Sequence, residues 1–177
     1  MLNKDQRQLL IDVAKEAIKS HLNGEYKLKS ITDVALMATH GVFVTLHLEN
    51  KLRGCMGHVV SNTPLYHEVQ VVSLKSAFED PRFKPVGKEE VESIQIEISV
   101  ISPFEKINSP NEVNIGVHGL VLQNGGRSGL FLPQVPIEQG WNLTTYVTEL
   151  CRKAQCPISV LDEPKTELFR FTAEVFS

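Results

Sequence analysis

Val42-Phe43-Val44-Thr45-Leu46-His47-Leu48, then Glu49-Asn50-Lys51, then Leu52-Arg53-Gly54-Cys55-Met56-Gly57-His58-Val59 is the stretch on which the fold turns. The first seven residues alternate strictly: Val42, Val44, Leu46 and Leu48 lie on one side of an extended chain, and Phe43, Thr45 and His47 on the other. A polar turn separates them from a second extended run, so the two read as a β-hairpin with strands over 42–48 and 52–59. The hydrophobic pattern selects the register. Pairing Leu48 with Leu52 sets Val44 opposite Met56, whereas a slip of one residue puts Lys51 opposite Leu48. In the favoured register Thr45 faces Cys55 and His47 faces Arg53, so the four are expected to share one face.

Working outward, residues 4–22 carry Leu10, Val13, Ala14, Ala17 and Ile18 at helical spacing, with Asn3 placed to cap the start and Asn23-Gly24 to end the helix. Thr63-Pro64 predicts a second helix running to about Glu79 and stopped by Pro81. Residues 93–101 alternate and predict a half-buried strand. Residues 102–115 hold Pro103 and Pro110 and suit a surface connection. A second hairpin is expected around Gly125-Gly126-Arg127-Ser128-Gly129. Asn142 caps a helix with Leu143, Val147, Leu150 and Ala154 on one stripe, and the tail 167–176 reads as one strand with Phe169, Phe171, Ala173 and Val175 on a face. Antiparallel hairpins interleaved with helices give an α+β fold, a mostly antiparallel sheet covered by helices. A chain of 177 residues is expected to be a single domain over 1–177, with any lobe boundary near 102–115.

Composition removes several function classes. A net charge of -3, with Lys and Arg scattered, supplies no attraction to phosphate backbones, so no nucleic-acid partner is expected. No apolar run approaches ~18 residues, so no membrane span is expected. Asp5, Asp12 and Glu16 interrupt the first twenty residues, which do not read as a signal peptide. Three cysteines, Cys55, Cys151 and Cys156, cannot all pair within one chain and fit a reducing, cytoplasmic setting.

Chemistry concentrates in Leu52-Arg53-Gly54-Cys55-Met56-Gly57. Glycine weakens a strand interior, and Gly54 and Gly57 call for close approach of a ligand or of another backbone. Arg53 and Cys55 are two apart and so on one face. A guanidinium beside a thiol favours the reactive thiolate, or it can hold an anion by a two-pronged hydrogen bond. The bland alternative is a structural cysteine, a surface arginine and glycines accommodating a bulge. His118, between Gly116-Val117 and Gly119, is a candidate general base for the cysteine; otherwise it is a turn histidine bonded to its own backbone. Arg82, in Asp80-Pro81-Arg82-Phe83, can point into a ligand site or simply finish a helix. Glu97, out of phase with Ile96 and Ile98, is expected on the solvent face. Among His47, Cys55, His58 and His118 no spacing matches a structural zinc site, and no phosphate-loop or dinucleotide motif is present, so no metal is expected and the residues leave any cofactor unknown.

Taken together, Val42–Leu46 with Leu52–Gly57, Ser76-Ala77 with Asp80-Pro81-Arg82-Phe83 and Pro85, and Val117-His118-Gly119-Leu120 with Gly129-Leu130, Leu132-Pro133-Gln134-Val135, Gly140-Trp141 and Leu150-Cys151-Arg152-Lys153-Ala154 resemble the AMMECR-type domain family, AmmeMemoRadiSam system protein A. The likeness covers about residues 5–175. Met56 stands where the family commonly has isoleucine, and Gln155-Cys156 where it commonly has glycine and an apolar residue. The resemblance implies two unequal lobes with a cleft between them, Arg53 and Cys55 near that cleft, and association with Memo-like and radical SAM proteins. It does not supply a reaction.

Three functions follow as expectations. The chain is an enzyme using Cys55 on a small anionic molecule, with Arg53, Gly54, Gly57 and Arg82 contacting the ligand and His118 accepting a proton. Alternatively it is a non-catalytic binding or adaptor module for Memo-like and radical SAM proteins. As a third reading, the motif is only a tightly packed hairpin.

Overall fold

The computed structural model describes residues 2–25 and 30–177. Helix α1, Lys4–Leu22, begins on a reciprocal cap in which the Asn3 side chain accepts from the Gln6 N–H and the Gln6 side chain accepts from the Asn3 N–H. Its buried residues are the five that its spacing singles out. A 3-10 turn, Val34–Met37, leads into strand β1, Gly41–Leu48, and hairpin partner β2, Lys51–His58. Helix α2, Leu65–Phe78, follows, then strands β3, Gln95–Ile101, and β4, Glu105–Ile107. Strands β5, Gly119–Asn124, and β6, Arg127–Phe131, form the second hairpin; helices α3, Val135–Glu138, and α4, Leu143–Lys153, precede strands β7, Glu167–Phe171, and β8, Ala173–Phe176.

The strands form two four-stranded sheets, ordered β2-β1-β3-β8 and β4-β7-β5-β6. Two antiparallel sheets with four helices make the fold α+β. The described chain divides into two compact units, one running to Ile101 and including Glu174–Ser177, the other Ser102–Ala173. In the first, Val42, Val44 and Leu46 of β1 and Ile96, Ile98 and Val100 of β3 turn one sheet face onto α1 and α2, burying Leu10, Ile18, Val69 and Val72. The second packs α4 on its sheet through Leu120, Leu122, Tyr146, Val147 and Leu150.

The structure departs from the sequence expectations in four places. The first hairpin closes on the two residues Glu49 and Asn50, both with positive φ (51° and 61°), so Leu48 pairs with Lys51 and His47 with Leu52. The right-handed strand twist favours such a turn. Beyond it the apolar register reasserts itself, with Val44 opposite Met56 and Thr45 opposite Cys55. The mismatch is absorbed by a bulge between Leu46 and His47, where Arg53 is the additional residue. Second, α2 lacks a Thr63 cap: Pro64 is the cap residue, and the Thr63 hydroxyl donates to Glu68 instead. Third, the connection after Ile101 contains β4, paired with β7. Fourth, the tail is two strands in different sheets, with Leu168, Phe171 and Phe176 buried and Val175 exposed. Thr172 separates them, exchanging hydrogen bonds with Ser102 through its carbonyl and its N–H.

Gly54 is required by packing. A Cβ there would lie 2.1 Å from the Ser76 carbonyl oxygen of α2. Gly57 is covered by the Phe43 ring, 2.2 Å from the corresponding position. Gly54→Ala is therefore expected to destabilise by about 2–3 kcal/mol in urea unfolding, because backbone must move, and Gly57→Ala by less, because a ring can turn. At the end of α4, Gln155 holds the left-handed conformation, φ 56°, that a helix terminus usually gives to glycine. Gln155→Gly is expected to stabilise by about 1 kcal/mol in the same measurement.

Candidate functional site

Strand β2 lies at the edge of its sheet, and an edge leaves backbone groups unpaired. Here they are taken by the end of α2 and the turn after it. At the Val44–Met56 pair the Ser76 hydroxyl bridges the strands, accepting from the Met56 N–H (3.0 Å) and donating to the Val44 carbonyl (2.8 Å). One residue earlier, Asp80 accepts the Cys55 N–H at 2.8 Å, and Arg82 donates to the Cys55 carbonyl at 3.0 Å. Asp80 and Arg82 also bind each other through both carboxylate oxygens, at 2.9 and 2.7 Å. The backbone of Cys55 is thus clamped on both sides by one ion pair.

That pair is asymmetric. The Asp80 side chain is 2% exposed and that of Arg82 55%. A carboxylate just past a helix C-terminus meets an unfavourable dipole and, when buried, loses hydration. The hydrogen bond from Arg82 outweighs burial, and the N–H groups of Cys55 and Arg82 add to it, so Asp80 is held well below the usual carboxylate range. Arg82 is correspondingly held charged, chiefly by Asp80.

The thiol is left half-buried on the sheet face away from the helices, where the Thr45 hydroxyl donates to its sulfur at 3.3 Å. Thr45 pairs with Cys55 on one side and Glu97 on the other, so the three occupy one row across β2, β1 and β3. Glu97 is half-buried at the end of that row.

Of the other residues singled out in the sequence, Arg53 does not gather with this row. Its guanidinium binds both carboxylate oxygens of Glu90 (2.8 and 3.0 Å) and the carbonyls of Lys84 and Pro85. The bulge re-aims a side chain that a regular strand would have left beside Cys55. Gly54 and Gly57 meet Ser76 and Phe43. His118 belongs to the second unit, and its Nδ1 accepts from the Asn114 N–H at 3.0 Å, the local turn bond. Burial, reinforced by Arg170, lowers its pKa and favours the neutral ring. Cys151 and Cys156 are buried free thiols, and burial raises the pKa of Cys151. Among the described residues no three His, Cys, Asp or Glu side chains are placed to hold a metal ion, and no helix is long and apolar enough to cross a membrane.

Asp80, Ser76 and Glu90 were not legible as partners of the hairpin. The available signal was a carboxylate two residues from an arginine; Ser76 is one of several polar residues, with Glu68, Gln70 and Ser73, buried along α2.

The folded pKa of Asp80 lies below the roughly 3.9 of an unfolded aspartate, so its stabilisation is present above that pH and fades as pH falls toward the folded value. Asp80→Asn is expected to lose about 2–3 kcal/mol at pH 7. It should also flatten the loss of stability below about pH 4. Urea unfolding at neutral and acid pH measures both; parallel acid profiles in the two proteins contradict this role.

The AMMECR1 family profile matches residues 11–176. The chain is 35% identical over 183 residues to a protein of Methanothermobacter thermautotrophicus, covering 99% of this chain and 95% of that one. It is 37% identical over 175 residues to a protein of Nanoarchaeum equitans, covering 94% and 97%. The crystal structure of the uncharacterized protein PH0010 from Pyrococcus horikoshii superposes with a TM-score of 0.81 at 36% identity, covering 94% of this chain and 88% of that one. With family profile, sequence and fold in agreement over nearly its whole length, the chain belongs to the AMMECR1 family.

Proposed function

We propose that this protein is a cytoplasmic enzyme whose reacting group is the Cys55 thiol and whose substrate is a small molecule with an anionic group docked at Arg82. The observation that carries this reading is the clamp. The Cys55 backbone is fixed on both sides by Asp80 and Arg82, while its sulfur stays half-buried with a hydroxyl donor beside it. Holding a reacting atom in one geometry on a rigid element is what positioning catalysis requires. Between the two arginines, Arg82 has the exposure to meet an incoming anion, whereas the donors of Arg53 are engaged with Glu90 and two carbonyls. Thr45 places a hydroxyl donor 3.3 Å from the sulfur. Glu97 ends the same row and is a candidate proton acceptor.

A second reading, a non-catalytic module that binds Memo-like and radical SAM proteins, is favoured by one observation. Arg53 is engaged by the Glu90 carboxylate and two backbone carbonyls, and His118 Nδ1 by the Asn114 N–H, which suits fixed structural roles better than reactive ones.

The test compares wild type, Cys55→Ser and Arg82→Gln after incubation with a small-molecule cell extract, read by intact mass and by thermal shift. A mass adduct that maps to Cys55, is absent from Cys55→Ser and is diminished in Arg82→Gln is the expected result. If no adduct forms and retention of a partner protein survives Cys55→Ser, the module reading replaces the enzyme.

A further inference from the structure

On the opposite face of the same hairpin lies a second cluster of titratable groups, which the thiol chemistry does not use. His58 ends β2 with the parity of Gly54 and Met56, so its side chain turns toward α2 rather than toward the row of Cys55. There it stands between two residues of α2, Glu68 and Lys75, seven apart and hence two turns apart on one helix face. Lys75 Nζ is 3.0 Å from His58 Nε2, and His58 Nδ1 is 2.5 Å from Glu68 Oε1. An ammonium can only donate, so Nε2 is the bare nitrogen, and Nδ1 carries the proton and donates a hydrogen bond to the carboxylate.

The Glu68 side chain is 6% exposed. Its second oxygen accepts from the hydroxyls of Ser61 (2.8 Å) and Thr63 (2.6 Å). Burial opposes its ionisation, and the hydrogen bonds from Thr63, His58 and Ser61 outweigh burial, leaving the carboxyl below its ordinary range. The result is carboxylate, imidazole, amine in line, the order in which a buried acid orients a histidine toward a nucleophile.

The lysine of this relay is also part of the wall of a groove. Lys75 lines a hollow of about 180 Å³ together with Val71, Leu74, Phe78 and Glu79 of α2 and His21 of α1. The His21 and Phe78 rings stack there at 4.3 Å. One amine beside an apolar floor and a ring pair suits a small, uncharged, flat or short-chain molecule whose electrophilic atom can reach Nζ.

We propose that Lys75 is a nucleophilic amine that condenses with a small aldehyde or ketone seated in this groove, with His58 as its base and Glu68 as the positioning residue. The ammonium passes a proton to His58 Nε2. The freed nitrogen lone pair attacks the carbonyl carbon, forming the C–N bond, and the carbonyl π pair moves to oxygen. The attacking nitrogen passes one of its two protons to that oxygen, and the hydroxyl so formed takes the proton held by His58 and leaves as water as the nitrogen lone pair closes the C=N bond, so one ammonium and one carbonyl give one protonated imine and one water. The charged and titratable groups facing Lys75 are His58 from β2, His21 from α1, and Glu68 and Glu79 from its own helix. This site is independent of Cys55 and stands whether or not the thiol reacts.

The experiment treats the whole protein at neutral pH with benzaldehyde and cyanoborohydride, which reduces an imine to a stable amine, and follows each lysine by peptide mass mapping. Lys75 is expected to be labelled at least about tenfold faster than exposed lysines such as Lys51, below the full range of general-base assistance because the base must first be exposed to the probe. His58→Gln is expected to remove that preference, and Cys55→Ser to leave it intact. A Lys75 rate that does not reach this margin in the wild-type protein overturns the proposal without recourse to any variant. So does a preference that persists in a folded His58→Gln protein.

Discussion

The approach of one helix backbone to one strand residue governs the first unit. Where the Ser76 carbonyl sits, no side chain fits at position 54, and the strand must offer glycine. Once α2 lies that close, the Ser76 hydroxyl can enter the ladder between β1 and β2, and the helix ends where Asp80 reaches the Cys55 N–H. The three features are a single packing event. A larger residue at 54 lifts α2 away, and the lift breaks the Ser76 bridge and draws the Asp80–Arg82 pair off Cys55 together.

The two arginine–carboxylate pairs beside this contact do different work. Arg53 and Glu90 staple the loop after Arg82 to the strand through carbonyls as well as charge. Arg82 and Asp80 fix the strand itself. Neither is best understood as a large net source of stability, because ion pairs that keep contact with solvent contribute little and buried ones lose hydration, although removing one partner of a buried pair is costly because it leaves the other's bonds unmet. Their use is geometric: two directional bonds to Asp80 and one to the Cys55 carbonyl leave its backbone with one placement. A thiol on an otherwise unpaired edge would move with the edge, whereas this edge is bonded to α2 and to the turn after it.

The helices were legible because their signals are local. Asn3 with Gln6, and Asn142 with Thr145, are caps that operate within four residues, and the apolar stripes follow from the helical period. The register at Thr45 and Cys55 was legible because the buried face of β1 tolerates no other. Reading failed where two local rules competed. At the first turn the apolar match asked for Leu48 opposite Leu52 and the twist asked for a two-residue loop; the chain satisfies both by inserting a bulge at Arg53. That outcome carried away the expected pairing of Arg53 with His47 and with it the anion anchor beside the thiol. Glu90 could not be anticipated either, since it reaches Arg53 across thirty-seven positions. In the tail, unbroken alternation concealed a change of sheet at Thr172, because period alone says which residues share a face and not which sheet the face belongs to.

Alternation also explains how one short strand presents two separate sets of side chains. Odd residues of β2 after the bulge, Cys55 and Gly57, face away from the helices; even residues, Gly54, Met56 and His58, face α2. A thiol and an imidazole three positions apart therefore cannot meet on this strand, and each must recruit partners from its own side. Cys55 finds Thr45 and the row leading to Glu97. His58 finds Glu68 and Lys75. The division excludes His58 as the base for Cys55, although it is the histidine closest to it in sequence, and it places any acid–base partner of the thiol on the open face of the sheet. The same division keeps His58, Glu68 and Lys75 on the helix side of the sheet, so a substitution on one face leaves the groups of the other in place.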